Sequence, residues 1–262
     1  MSLNTAAYKT TLIRGRSGAI DWGLERSADL NASTRLISMV AASPELGRIV
    51  RIYRPAPTVA FSGLESRLSG FLDAVGEAAA FAFEPVVRPA GGRMVALDQN
   101  WIILDIITPE IEKTFSNREI YLDYGAVIVN VLREFGIDAN LGPVDGEYCP
   151  GDYSINARGK IKLVGTAQRV RRGARLFSAC MPISISYSVA TLFERVNATL
   201  GLEWNPETLG GLNDEAPQIT ADVLEEKLVE AFAPLVDSCD SLTDLYEIHR
   251  KLALQGKERK PE

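Results

Sequence analysis

One histidine, His249, and three cysteines are all that this chain of 262 residues offers of those two residue types. His249 is far in sequence from every other candidate residue, which argues against a Ser-His-Asp or Cys-His-Asp triad. Nucleophilic catalysis would need another activator. The cysteines form no CxxC, so neither a disulfide framework nor a zinc ribbon is indicated. No His/Cys/carboxylate set has ligand spacing, and no metal is expected. Positive charge is in deficit, with 28 Lys and Arg against 34 Asp and Glu, a net charge of −6. That balance speaks against a nucleic-acid or anionic-membrane binder, although Arg169, Arg171, Arg172 and Arg175 form a local basic cluster. No apolar run approaches the roughly 18 residues of a membrane span. No basic segment followed by an apolar stretch opens the chain, so a cytoplasmic protein is expected. Internal repeats and low-complexity segments are also missing.

What is present is the make-up of a soluble globular protein, 46% hydrophobic and 24% charged. The length suits one domain, or one with a small appendage. Residues 24–40 are helix-compatible. Residues 48–61 read as extended chain broken by Pro55 and Pro57 into two short strands. A helix is expected over 64–80, weakened by Gly70 and Gly76. Residues 81–88 and 101–108 read as strands flanking Gly91-Gly92. Within the second, Ile102, Ile103, Leu104, Ile106 and Ile107 suggest burial on both faces. Apolar residues at 120, 124, 127, 128, 131 and 135 predict an amphipathic helix, with Gly136 at its C-terminal cap. Residues 161–170 and 176–186 read as paired strands. Helices follow at 190–200, at 221–232 with Thr220 as N-cap, and at 241–254, before a charged tail. The irregular alternation of strands and helices favours an α+β fold.

Three segments concentrate the chemistry. Arg88-Pro-Ala-Gly91-Gly92-Arg93 carries two glycines that let backbone N–H groups approach a ligand, with Arg88 placed as an anion anchor. An isolated Gly-Gly between strands reads equally as a hairpin turn. Tyr148-Cys149-Pro150-Gly151-Asp152-Tyr153 puts a thiol at the edge of an expected Pro150-Gly151 turn, where substrate can reach it. Most free cysteines are buried and inert, however. Cys180 lies in an expected strand and Cys239 in a helix–helix loop. Lys162 alternates with Ile161 and Leu163, so it faces either a cleft or solvent, and spacing alone does not separate it from Lys160. Gly165-Thr166-Ala167 leaves a small-residue patch beside it.

Taken in order, these segments resemble the lipoate–protein ligase and octanoyltransferase family, which shares its catalytic fold with biotin protein ligases. The resemblance covers roughly residues 20–200. It starts at the strand and loop from Val50 to Phe61 and continues through Arg88-Pro-Ala-Gly91-Gly92-Arg93, similar to the family's acyl-binding loop. It closes on Lys162-Leu-Val-Gly165-Thr166-Ala167-Gln168-Arg169, whose spacing matches Lys162 to the family lysine. The resemblance implies a ligase-like catalytic domain over 1–214, a mixed β-sheet flanked by helices, with a C-terminal helical extension over 215–262 packed on it. The Tyr148–Tyr153 segment is similar to the nucleophile segment of the cysteine-dependent octanoyl amidotransferase branch. Two departures from the ligase pattern agree with that branch. Leu97 stands where ligases tend to carry His, and Phe177-Ser178-Ala179 stands near their His-His-Gly. Ser154, in contrast, occupies a place where the transferase pattern has Asp.

By resemblance, Cys149 would carry an octanoyl or lipoyl group as a thioester and pass it to a lysine of a lipoyl domain. Lys162 would stabilise the thiolate and the oxyanion, aided by N–H groups near Gly165 and Thr166. Arg88, Gly91, Gly92 and Arg93 would shape the acyl site on one side, and Ala167 and Gln168 on the other. The donor would be an acyl carrier; the acceptors would be the glycine cleavage carrier protein and the E2 subunits of 2-oxoacid dehydrogenases. The transferase needs no cofactor. The alternative is an ATP- and magnesium-dependent lipoate–protein ligase forming lipoyl-AMP. A non-catalytic acyl-binding or regulatory homologue is a third class.

Overall fold

A computed structural model describes residues 9–16, 28–88, 90–110 and 116–233. A seven-stranded mixed sheet forms its frame, in the order β1 (Thr10–Arg16), β2 (Arg48–Arg54), β6 (Trp101–Pro109), β10 (Ala174–Pro182), β9 (Ile161–Arg171), β8 (Ile155–Ala157), β7 (Ala139–Leu141). Only β1 and β2 run parallel; the other neighbours are antiparallel. A second sheet of three strands has β3 (Thr58–Ser62) between β4 (Glu84–Arg88) and β5 (Val95–Leu97).

Alternation along the strands divides the large sheet into two faces. Val50, Ile52, Ile102, Leu104, Leu163, Phe177 and Ala179 point to one side. They pack against α3 (Asn117–Glu134) through Ile120, Tyr124 and Ile128, against the short α5 (Leu212–Glu215) through Leu212, and against α6 (Ala221–Phe232) through Leu224, Leu228 and Phe232. The other face supports two separate apolar clusters. Tyr53 and Ile103 pack with the small sheet, α2 (Phe71–Ala80) and α4 (Tyr187–Thr199). Ile49, Ile107 and Leu176 pack under α1 (Ala28–Ala42), which presents Ala32, Leu36, Ile37 and Val40. Burial of β6 on both faces explains its nearly continuous apolar run.

Pro55 and Pro57 do divide the extended segment into two strands, and these enter different sheets. Residues 64–80 differ from the expected single helix. A short 3-10 turn (Glu65–Arg67) precedes α2, and Leu68 between them is extended. Here the carboxylate of Glu65 accepts from Ser62 N at 2.7 Å and Met94 N at 2.7 Å. Gly70 leaves no room for a Cβ, which would lie 2.0 Å from the Thr199 carbonyl oxygen. Those tertiary contacts override the helical pattern. The Gly91-Gly92 segment is not a hairpin turn either, because β4 pairs parallel with β3 while β6 belongs to the large sheet. In α3, Ser116 and Glu119 form a capping box at the start, and Gly136 follows the end at φ +86°. Thr220 caps α6 by accepting from Val223 N. The helix expected at 241–254, Cys239, His249 and the tail lie outside the described residues. No helix among the described residues is long and apolar enough to cross a membrane.

Candidate active site

The two apolar clusters on one face of the large sheet leave a cavity of about 390 Å³ between them. Cys149, Lys162, Arg88, Gly91, Gly92, Arg93, Gly165, Thr166, Ala167 and Gln168 all line it.

Cys149 lies on the loop between β7 and β8. The turn there closes between Gly151 and Ser154, with Asp152-Tyr153 at its centre, two residues beyond the expected Pro150-Gly151 position. The loop is organised from below by Glu147, a carboxylate 1% exposed. Its Oε1 accepts from Gly151 N at 2.7 Å and from Ser154 Oγ at 2.9 Å, and its Oε2 from Val144 N at 3.4 Å. Ser154, where the resembled pattern has Asp, therefore serves as a donor to a carboxylate supplied seven residues earlier. Asp152 is exposed at the cavity.

Lys162 is 3% exposed, whereas Lys160 is exposed on the β8–β9 turn. The Lys162 ammonium donates to the Cys149 carbonyl at 2.5 Å and lies 3.4 Å from Glu147 Oε1 and 4.6 Å from the centre of the Tyr148 ring. A buried cation in that position holds the cysteine loop down through the peptide and the carboxylate, which together offset its desolvation. Burial, with nearby Cys149, pushes the Tyr148 phenol well up, so it stays protonated at neutral pH.

From the opposite side comes the glycine loop. Arg93 N donates to Cys149 Sγ at 3.1 Å, an N–H placed to stabilise negative charge on the sulfur. Gly92 has φ +95°, and a Cβ there would lie 3.0 Å from Cys149 Sγ and 3.2 Å from Arg88 Nη2. Gly91 has open space around it. Arg88 braces this loop by donating to the carbonyls of Gly91 and Arg93, the latter at 2.8 Å. Glu65 holds the far end through Met94 N. Arg88 thus spends two of its nitrogens on the loop, while its Nε is buried without a hydrogen-bond partner.

Gly165 and Thr166 are paired with Cys180 and Ala179 of β10, and the Thr166 hydroxyl donates to the Tyr153 carbonyl at 2.8 Å. The amide that meets the sulfur is that of Arg93. Gln168 ties β9 to the start of α3, donating to the Asn117 carbonyl at 2.7 Å and accepting from Arg175 at 3.0 Å. Of the four clustered arginines only Arg169 lines the cavity; Arg175 is buried and paired with Glu110 at 2.7 Å. Tyr121 and Tyr153 stack at 4.4 Å on the cavity wall.

Glu147 and Glu65 were invisible to pattern reading: Glu147 sits in a loop with no periodicity, and Glu65, in a 3-10 turn, fell within the helix expected over 64–80. A signal did exist for a third missed group. Asp105 interrupts the apolar run of β6, a charge in a strand buried on both faces. It lines the cavity with Ser33 and Ser178.

This architecture, a large mixed sheet with a small second sheet closing a cavity over a Lys-Leu-Val-Gly-Thr-Ala strand, is that of the lipoate-ligase fold. A lipoate-protein ligase A structure bound with ATP superposes with a TM-score of 0.65 at 18% identity, over 93% of each chain. The bi-partite lipoate protein ligase of Thermoplasma acidophilum gives 0.62 at 17% identity, over 93% of this chain and 91% of that one. The chain belongs to the lipoyl protein ligase A/B catalytic domain family, whose profile matches residues 34–233. Among its relatives, the octanoyl-[GcvH]:protein N-octanoyltransferase of Geobacillus kaustophilus is 30% identical over 125 residues, 48% of this chain and 44% of that one. A protein of the same name from an Exiguobacterium species is 26% identical over 204 residues, 71% of this chain and 70% of that one. The first of these alignments spans under half the length of the relative.

Proposed function

We propose that this protein is a cytoplasmic acyltransferase of protein lipoylation, moving an octanoyl or lipoyl group through a thioester on Cys149 to a lysine of a lipoyl domain. The observation that carries the reading is the placement of the Cys149 sulfur. It faces the cavity, 3.1 Å from the Arg93 amide, against Gly92 at φ +95°, where a Cβ would lie 3.0 Å from the sulfur. Relatives named for transfer of octanoyl from GcvH to protein supply the choice of carrier.

In the first step the Cys149 thiolate attacks the carbonyl carbon of the octanoyl donor. A carbon–sulfur bond forms, the bond to the carrier breaks, and the carrier's leaving atom takes up a proton. In the second step the neutral amine of an acceptor lysine attacks the thioester. The new amide nitrogen loses a proton and the cysteine is released. The Arg93 N–H is the donor nearest the charge in each step, and Lys162 holds the loop that bears the sulfur. GcvH and E2 lipoyl domains are the carriers and acceptors this reading implies, with no cofactor consumed.

Incubation with octanoylated GcvH followed by intact-mass measurement tests it. The expected result is one octanoyl adduct on the wild type and none on Cys149→Ala. Absence of an adduct on the wild type, or its survival in the variant, overturns the thioester. Lipoate-dependent pyrophosphate release that persists in Cys149→Ser would instead identify a ligase using ATP and magnesium. Octanoate binding without turnover in either assay would identify an acyl-binding homologue.

A further inference from the structure

Across β2, β6, β10 and β9, the cavity-facing side of the large sheet is built in rows. The row nearest Cys149 is Tyr53, Ile103, Cys180 and Gly165. Two residues along comes Arg51, Asp105, Ser178 and Ala167, and beyond it Ile49, Ile107, Leu176 and Arg169. Tyr53 and Ile103 belong to the apolar cluster of the small sheet, while Ile49, Ile107 and Leu176 belong to the one under α1. Between two apolar clusters on one sheet face lies a polar belt.

The belt is built tightly. Arg51 is 1% exposed and Asp105 2%. Ser33 of α1 donates to Asp105 Oδ2 and accepts from Arg51 Nη1 at 3.0 Å, and Arg51 Nη1 lies 3.6 Å from the same carboxylate oxygen. The Ser178 hydroxyl also bonds Asp105. The guanidinium carbon lies 3.5 Å over the Tyr53 ring. Burial raises the Asp105 carboxyl above its usual range, with Arg51 and the hydroxyls pulling it back. Charged or protonated, the group is polar, and the thioester chemistry does not use it. A buried ion pair gives the fold little that packed apolar residues would not. Its effect falls on what the cavity can hold.

We propose that Asp105, Ser33 and Ser178, which line the cavity and are held by the buried Arg51 behind them, form the specificity-determining wall of the acyl site, ending the apolar stretch that starts at Cys149 and setting the longest alkyl chain accepted. This rests on the reading of Cys149 as the acyl carrier. An alkyl chain held there first covers Tyr53 and Ile103. One strand step of two residues further, about 6.6 Å, it meets the belt. Methylenes pressed onto those groups gain no apolar partner, and they exclude water without replacing its hydrogen bonds. With the belt removed, the two apolar clusters would join into one longer slot.

The test offers acyl thioesters from hexanoyl to tetradecanoyl to the wild type, to Ser178→Val and to the double variant Arg51→Met/Asp105→Leu, which removes both charges together. The readout is the rate of adduct formation at Cys149 by intact mass, with circular dichroism to establish folding. In the wild type the rate falls steeply past one chain length. In the double variant the ratio of the rate beyond that length to the octanoyl rate rises by about tenfold or more, the scale of one methylene gained in an apolar pocket. Ser178→Val, which keeps the ion pair, moves the ratio in the same direction by less. Identical length profiles in the wild type and every folded variant overturn the proposal. If no donor forms an adduct on any protein, the thioester reading fails. The belt is then decided by calorimetric binding of the matching fatty acids: a length limit relaxed in Ser178→Val supports it, and an unchanged limit overturns it.

Discussion

Cys149 and Cys180 line the same cavity, yet their surroundings assign them opposite characters. Cys149 sits on a loop, with an amide N–H directed at its sulfur and a cation under its peptide. Cys180 sits in the middle of β10, between Ile103 and Gly165, and burial pushes its thiol up to about 12. The contrast lies in what faces each sulfur. One has a fixed donor; the other is desolvated, with Asp105 nearby adding to the penalty on its thiolate. Thiols are thus sorted by local dipoles and charges more than by access to a cavity.

The largest effect that can break this contrast is removal of the proposed nucleophile. Cys149→Ser is expected to lower octanoyl transfer by about 10⁴-fold or more, the scale seen when a covalent nucleophile is lost. Iodoacetamide at neutral pH is expected to label Cys149 ahead of Cys180, read by peptide mapping. Labelling of Cys180 at a comparable rate would dissolve the distinction.

Next comes the carboxylate beneath the loop. Glu147→Ala leaves Lys162 buried without its charge partner and Gly151 N and Ser154 Oγ without their acceptor. Breaking such a pair is expected to cost about 3–5 kcal/mol in urea unfolding. Glu147→Gln keeps an acceptor for the loop and should lose less. Equal losses for the two variants would mean that the hydrogen bonds to the loop contribute little. On the other side of the sulfur, Gly92→Ala meets both a positive φ and the 3.0 Å approach to Sγ. Displacement of the loop by even 1 Å should reduce transfer by about 10²-fold. Gly91→Ala, with open space around it, should cost less than a tenth as much, and equal costs would remove the steric argument.

How much of this was legible in the sequence depends on the range of the interactions involved. The burial of β6, the apolar face and C-terminal glycine of α3 and the helix start at Thr220 are local, and periodicity or capping chemistry displays them, whereas the capping box at Ser116 went unread. The Tyr148–Tyr153 and Lys162–Arg169 segments were legible as chemistry because resemblance supplied spacing that physics alone left open between Lys160 and Lys162. The failed helix at 64–80 and the Gly91-Gly92 hairpin share one cause. Glu65 reaching Met94, Gly70 under Thr199 and β4 pairing parallel with β3 are long-range choices that no window of sequence contains. Glu147 was unreadable for the same reason, since its four contacts exist only once the loop has closed. Asp105 was readable as an anomaly within an apolar strand, but its meaning required the neighbouring strands, which set Arg51 and Ser178 on either side of it.

The smallest effect sharpens the Cys180 side of the contrast through pH. An unfolded thiol titrates near 8.5, and the folded Cys180 near 12. Below pH 8 both states keep the proton, and Cys180 contributes nothing to the pH dependence of stability. As pH rises from about 9 towards 12, the unfolded chain releases a proton that the folded chain retains. Unfolding is then favoured, and stability falls by at most about 1.4 kcal/mol per pH unit from this group. Tyr121, Tyr124 and Tyr148, whose phenols burial also raises, add to the loss in the same alkaline range. The difference between the wild type and Cys180→Ala isolates the thiol, because the tyrosines are common to both. Denaturant unfolding at pH 8, 9.5 and 10.5 should show the variant gaining on the wild type as pH rises. A difference that stays flat over that range would mean that Cys180 ionises in the folded protein as readily as in the unfolded one, and the two cysteines would no longer be distinguished by their surroundings.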